Sequence, residues 1–343
     1  MPLAGTAAEL VGWMGAVQAQ EYDHARWGLG LRLAGEPTSP AVEREIAAGS
    51  ILRTHVLRPT WHFVAAGDLF WMQVLTAPRV HLRMAPYNRR LELDARTLTR
   101  ATGLIERALG DEESPTLTRA ELGQVLHRAR IAITPMRMAH IAMHAELEGI
   151  ICSGPRRDRQ FTYALAVSRV RRHRRRDRDE SLGELATRYF QSHGPATIRD
   201  FVWWSGLTTR DAVRGTEIAR ASSRIVGGRM YFTIEGRPSA PSVSSASFFP
   251  RRRRRVHLLP IYDESLVAYR DRFAVPHSRT TIVSNGRVVG FMHALVIDGQ
   301  VAGTWRTTPS RPGEVTLAPL LRLTATERGE LAVVKRRYAR FIG

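Results

Sequence analysis

Three times along the 343-residue chain, a run of capped helices ends in two short strands, and that order constrains the fold more than any other feature. In the first run, apolar residues have helical spacing over 7–16 and 22–33. Ser39-Pro40, a capping residue and a good first-turn residue, then opens a helix over 40–48 that stops at Gly49. Over 51–64, β-branched and aromatic residues alternate with polar ones around Arg58-Pro59, which predicts two strands or one bent strand. Helices over 68–83 and 94–109 close this unit. In the second run, Thr118 and Glu121 form a capping box for a helix over 119–130, and a helix over 135–149 ends at Gly149. Strands at 150–152 and 161–165 flank a basic turn, and an arginine-rich stretch at 169–178 reads as a solvated linker. In the third, a helix over 180–193 gives way to His193-Gly194-Pro195-Ala196-Thr197, the turn of a helix-turn-helix. Helices over 198–204 and 209–220 and strands within 224–234 follow.

Helices followed by a hairpin are the order of a winged helix. The expected fold class is therefore α+β, with three tandem winged-helix modules at 1–112, 113–178 and 179–250. The last of these takes in a Ser-, Pro- and Ala-rich loop over 236–250. The remainder, 251–343, reads differently. Strands are predicted over 281–283, 288–295, 301–306 and 314–317, with Asn285-Gly286 and Asp298-Gly299 as the strongest hairpin signals in the chain. This predicts a small antiparallel β-barrel, finished by a helix over 324–341.

Charge narrows the partners. The net charge is +19, and 51 residues are basic, of which Lys335 is the only lysine. Arginine's planar fork suits phosphate and guanine edges, and an excess of this size points to a nucleic acid. The arginines assigned to DNA are Arg58, Arg156, Arg157 and Arg159 of the second basic turn, Arg251, Arg252 and Arg253 of an unbroken run, and Arg306. The single cysteine, Cys152, rules out an intramolecular disulfide framework and a Cys-based zinc cluster; it is expected to be a buried small residue. No apolar stretch is long enough to span a bilayer, and no secretory signal opens the chain. A cytoplasmic, nucleoid-associated monomer without cofactors is expected.

Gln18-Ala19-Gln20 stands between two helical segments. Residues i and i+2 point apart on a helix but share a face in an extended link, so a break here presents two amides to one place. Glu21 and Tyr22 follow directly, and His62 is beside Trp61 on the expected hairpin; these three are candidate site-lining residues. Glu21 is also placed to cap the helix that begins at Tyr22. His140 and His144 have the spacing of a metal pair, but with only Glu146 and Glu148 nearby no metal is assigned. Asp263 and Glu264 are expected to contact arginines, and Trp203 and Trp204 to belong to the core.

The stretches AVQAQEY (16–22), RPTWHFV (58–64), CSGPRRDRQFTYAL (152–165), HGPATIRDFVWWSGL (193–207) and LLPIYDESLVAYRDR (258–272) resemble the winged-helix family of AlkZ-like and YcaQ-like DNA glycosylases. The resemblance runs in order along nearly the whole chain. It implies three winged helices and a barrel around a concave basic channel. It also implies hydrolysis of the N-glycosidic bond of N7-alkylguanine in double-stranded DNA, bulky adducts and interstrand crosslinks included. The family's Gln-x-Gln motif matches Gln18 and Gln20, which would be catalytic; the acidic residue of the YcaQ-like form is missing at position 20. A monofunctional glycosylase is expected, serving self-resistance if its gene lies beside genes for a DNA-alkylating metabolite. The alternative is a non-catalytic tandem winged-helix transcription regulator.

Overall fold

The computed structural model describes residues 4–111, 115–170, 175–235, 255–270, 292–308, 310–320 and 322–343. The chain opens with α1 (Ala7–Met14), β1 (Val17–Gln18), α2 (Tyr22–Gly30), α3 (Ser39–Ala48), β2 (Ile51–His55) and β3 (Trp61–Ala65). Thr6 and Glu9 make the capping box of α1, and Gly15, at φ 83°, ends it one residue past Met14. The strands form an antiparallel sheet in the order β1–β3–β2. Gln18 and Thr54 both stand opposite His62, so the three side chains share one face.

Two long helices follow, α4 (Leu69–Arg90) and α5 (Ala95–Leu109). α4 runs seven residues beyond its expected end at 83. Pro86 lies within it and removes one hydrogen-bond donor without stopping the helix. The second unit continues with β4 (Leu117–Thr118), α6 (Arg119–Arg128), α7 (Pro135–Leu147), β5 (Ile151–Ser153) and β6 (Thr162–Leu165), its strands ordered β4–β6–β5. After α8 (Ala166–Arg169) come α9 (Arg178–Ser192), α10 (Ile198–Ser205), α11 (Thr209–Ile218), β7 (Ser222–Val226) and β8 (Arg229–Thr233). Ala196, between α9 and α10, bridges to Phe232 on β8. The same path thus recurs: a helix, a short extended segment, two helices and a hairpin, with the short segment paired to the hairpin's second strand.

The C-terminal part holds β9 (Val256–Leu259), α12 (Glu264–Val267), β10 (Ala294–Ile297), β11 (Gln300–Thr308), β12 (Arg311–Pro319) and α13 (Ala325–Ile342). Asp298 and Gly299, at φ 50° and 80°, make the expected tight turn between β10 and β11. The expected barrel is not closed: among the described residues the sheet is open, ordered β12–β11–β10–β9. The reason lies in what covers it. Tyr338 and Phe341 of α13 and Trp27 of α2 pack into the core that its strands share, and the indole N–H groups of Trp27 and Trp305 donate to the Leu258 and Leu259 carbonyls. The strand expected at 281–283, most of that at 288–295, the Asn285-Gly286 turn and the loop at 236–250 lie outside the described residues. No described helix is long and apolar enough to cross a membrane.

The cores cross the expected module boundaries. One cluster joins α1–α3 to the C-terminal sheet and α13, and a second joins β2, β3 and α4 to α9–α11, with buried Cys152 at its margin. A third, with Leu98, Ile105, Leu122 and Ile141, belongs to the second unit alone. One ion pair clamps the chain's ends together. Asp263 takes two hydrogen bonds from Arg32 (2.7 and 2.8 Å), and Ser265 completes the group. Burial by itself would raise the Asp263 pKa, but Arg32 and Ser265 outweigh it and hold the carboxyl below its usual range. A depressed carboxylate stabilises the fold above its unfolded pKa of about 3.9 and loses that contribution as pH falls through its folded value. Asp263→Ala should cost about 3–5 kcal/mol in urea denaturation at pH 7, because it strands Arg32. That difference from the native chain should shrink as pH is lowered below about 4.

Candidate active site

The extended link carrying the two glutamines is the edge of the first sheet. The ladder continues one residue past β1, with Ala19 N–H donating to Trp61 O (2.7 Å), and the chain bends at Gln20. Arg53 fixes the link from behind, its guanidinium donating to the Ala19 carbonyl (2.9 Å) and the Gln20 carbonyl (3.4 Å). The Gln20 side chain is half-buried, and its Oε1 lies 3.5 Å from Trp61 N. Gln18 is 8% exposed, and its Oε1 accepts from Arg58 Nη2 (3.2 Å). Both amide carbonyls therefore meet the 58–61 segment of the hairpin, one at Arg58 and the other at Trp61.

Gln18 lies on the wall of a cleft of about 460 Å³. Arg58, Pro59 and Thr60 of the hairpin turn line it, with Arg83 of α4, Arg199, Val202 and Trp203 of α10, and Val267 and Arg270 beyond. Arg83, Arg199 and Arg270 are exposed, and no carboxylate lines the opening among the described residues. Burial lowers the pKa of the Arg58 guanidinium and Arg83 adds to this, against Glu264, yet a guanidinium stays charged at neutral pH.

Glu264 builds the joint behind the cleft. It is 2% exposed; one oxygen accepts the Gln18 backbone N–H (2.6 Å) and the other the Trp204 indole N–H (3.0 Å), with His193 Nε2 at 3.5 Å. Its expected arginine partner belongs to Asp263 instead. The two tryptophans part company: Trp204 is fully buried as expected, whereas Trp203 is 42% exposed and lines the cleft. Gly206, at φ 71°, lets α10 approach the hairpin turn, since an added Cβ would collide with the Leu57 carbonyl oxygen.

The other candidates are placed as follows. His62 is fully buried behind the cleft; Nδ1–H donates to Thr60 O (2.8 Å), which leaves Nε2 with a lone pair and no hydrogen-bond partner. Burial, then Arg58, holds its pKa well below 6.5, so the ring is neutral. Tyr22 is buried against Phe63 and Phe161 and donates to Glu43 (2.8 Å), away from the cleft lining. Glu21 takes the N-cap position of α2 and is exposed, but its side chain makes no capping hydrogen bond. Arg156 stacks on Tyr22 and Phe161, and Arg157 is paired with Glu121 (2.7 Å). Arg159 and Arg306 are exposed, on the second hairpin turn and on β11. Arg251, Arg252 and Arg253 lie outside the described residues. The sequence reading missed Arg83, Arg199 and Arg270 as cleft residues, although the last two lie inside stretches quoted for the family resemblance.

The histidine pair at 140 and 144 is split. His140 meets Asn88 (2.7 Å), and His144 faces His81 and Glu148. Those three ligand atoms lie within 4.8 Å of one another. His81 Nε2 lies 2.9 Å from Glu148 Oε1.

A cleft rimmed by guanidiniums and walled by a neutral amide, on repeated helix–hairpin units, suits a polyanionic partner such as nucleic acid. The chain belongs to the AlkZ-like DNA glycosylase family, whose sequence model matches residues 11–341. It is a DNA glycosylase, and membership of an enzyme family leaves the regulator reading without support. The chain is 24% identical over 318 residues, 88% of its length and 82% of the relative's, to the interstrand DNA cross-link repair glycosylase of Streptomyces sahachiroi. Its fold is similar to the solved structure of the S. sahachiroi DNA glycosylase AlkZ, with a TM-score of 0.68, 21% identity, and 97% of this chain and 91% of that one covered.

Glu264→Gln keeps the shape of the joint but turns an amide NH2 against one of two donors. It should cost about 1–3 kcal/mol in urea denaturation. The exposed Glu21→Gln should change stability by less than about 0.5 kcal/mol.

Proposed function

We propose that the Gln18 cleft is where this glycosylase holds a deoxyribose bearing an N7-alkylated guanine. In this reading Gln18, on the cleft wall, orients a water against C1′, with Gln20, which lies next to the lining and against Trp61 of the same hairpin, as its partner. The observation that carries it is the Gln18 carbonyl in a cleft lined, among the described residues, by four arginines and no carboxylate. Glutamine cannot take a proton at neutral pH, so the amides act by placement and by their dipoles. That suffices for this substrate. Alkylation at N7 makes the base cationic, so the C1′–N9 bond breaks with its electron pair going to N9 and neutral alkylguanine leaving. Water oxygen bonds to C1′, its proton passes to solvent, and an abasic sugar remains. Carbonyl dipoles stabilise the positive charge that develops on the sugar, and orientation can supply up to about 7–11 kcal/mol. An unmodified guanine would leave as an anion and stays intact.

A monofunctional reaction fits the cleft's residues, for among the described residues no amine nucleophile lines it, and Lys335, the only lysine, is on α13. The three helix–hairpin repeats, running from α1 to β3, from α5 to β6 (so the second begins ahead of the expected boundary at 113) and from α9 to β8, are read as winged helices, and 251–343 as the unit that closes the clamp. Arg58, with Arg83, Arg199 and Arg270, supplies phosphate contacts at the cleft; Arg156, Arg157, Arg159 and Arg306 extend the basic surface. A cleft open at the surface accepts bulky adducts without a closed pocket, and the name of the S. sahachiroi relative supports crosslinks as substrates. Self-resistance to a DNA-alkylating metabolite is the role this activity would serve.

The test is alkaline cleavage of abasic sites after incubation with an N7-methylguanine duplex and with bulkier N7 adducts. The wild-type chain should give strand breaks. Gln18→Ala and Gln20→Ala should each slow excision by about 10²-fold while still binding the duplex. A wild-type rate in Gln18→Ala removes the catalytic assignment. Binding should weaken steeply with salt, and Arg199→Gln should lower the slope of log K against log salt by about one.

A further inference from the structure

We propose that the indole of Trp203 is the platform that receives the lesion base, and that it selects a cationic, N7-alkylated purine over a neutral one of the same shape. This rests on the reading of the Gln18 cleft given above and goes on to the group that recognises the base.

Trp203 and Trp204 are consecutive on α10, so their side chains leave the helix about 100° apart. Trp204 goes to the core. Trp203 goes to the cleft, where it is the one aromatic residue in the lining among the described residues. A large apolar side chain left 42% exposed among arginines is worth explaining. Its ring and its backbone are each held by one contact. The indole N–H donates to the Val267 carbonyl (2.9 Å), and the Trp203 carbonyl lies 3.4 Å from Arg58 Nη1. Arg58 Nη2 in turn holds the Gln18 amide, so one guanidinium sets the spacing between platform and amide. With its only polar atom tied off, the ring has nothing but carbon surface to offer the opening.

Electrostatics then decide what that surface is for. Arg58, Arg83, Arg199 and Arg270 attract the phosphates on either side of a lesion, but each repels a guanine that carries a positive charge. Among the described residues the cleft offers no carboxylate in compensation. Among the described lining residues, what remains to attract a cation is neutral oxygen, the Gln18 carbonyl and the Thr60 hydroxyl, and the negative face of an aromatic ring. Trp61, the other indole beside the motif, already carries Arg53 at 4.3 Å from its ring centroid. Among the described residues, no guanidinium and no second ring stacks on Trp203. A cation over an indole gains about two- to thirty-fold in affinity, enough to separate an alkylated from a neutral purine while leaving phosphate binding to the arginines.

The experiment compares two duplexes that cannot be hydrolysed, both built on the 2′-fluoro sugar. One carries N7-methylguanine, which is cationic, and the other 7-methyl-7-deazaguanine, its neutral isostere. Full-length protein is titrated by fluorescence anisotropy, and the measured quantity is the ratio of the two dissociation constants. Wild type should favour the cationic duplex by about fivefold or more. Trp203→Leu should bring the ratio to about one, and Trp203→Phe, which keeps a ring of weaker quadrupole, should fall between. A wild type without preference overturns the proposal, and so does an unchanged ratio in the variants. If thermal melting shows that Trp203→Leu is unfolded, the Phe ratio decides. The catalytic reading is tested apart from this: loss of it would show as undiminished excision by Gln18→Ala, whereas loss of the platform shows only in the cation-to-neutral ratio.

Discussion

Everything at the site hangs on one buried carboxylate. Glu264 comes from the last quarter of the chain, yet its two oxygens accept the backbone N–H of Gln18, near the start, and the indole of Trp204, from the third helix–hairpin unit. A carboxylate with almost no solvent contact is expensive to bury and stays only where donors meet both oxygens. It therefore fixes β1, α10 and α12 in one arrangement. That arrangement is what puts the Gln18 side chain on one wall of the cleft and Trp203 on another.

The site so formed separates two electrostatic tasks. Guanidiniums around the opening gather a polyanion, a long-range job that any sequence of DNA satisfies. The chemistry at C1′ is given to neutral dipoles. A carboxylate placed among four arginines would be strongly paired and held away from a water. An amide cannot be captured in that way to the same extent, although Arg58 does take one lone pair of the Gln18 carbonyl. Neutral His62, directly across the sheet, adds no charge to this balance. The division suits a substrate that brings its own activation as a positive charge on the base.

The packing explains how a cleft between units stays rigid enough to position a water. The N-terminal helices share a core with the C-terminal sheet and α13, and the first hairpin shares another with α9–α11. The cleft walls are thus edges of continuous cores, not surfaces of domains free to swing. Arg32 and Asp263 add a buried ion pair across the same seam, one residue before Glu264.

What the sequence determined by itself was local. The capping box at Thr118, the glycine stop at Gly49 and the Asp298-Gly299 turn are short-range chemistry, and the helices and hairpins they mark are present in order. The extended state of the Gln18–Ala19 link was legible for the same reason, as a break in helical spacing. What only the tertiary structure decided was which of these residues meet. That Glu264 holds Gln18 across 246 residues, that Trp203 faces the cleft while Trp204 does not, and that Arg83 comes to the rim from the middle of a helix leave no periodic trace. The same holds for Tyr22, which neighbours the motif in sequence but points into a core with Phe63 and Phe161. Spacing along a chain fixes directions within one helix or strand. Convergence on a cleft depends on how those elements cross, and that is set by the shared cores and a handful of buried hydrogen bonds.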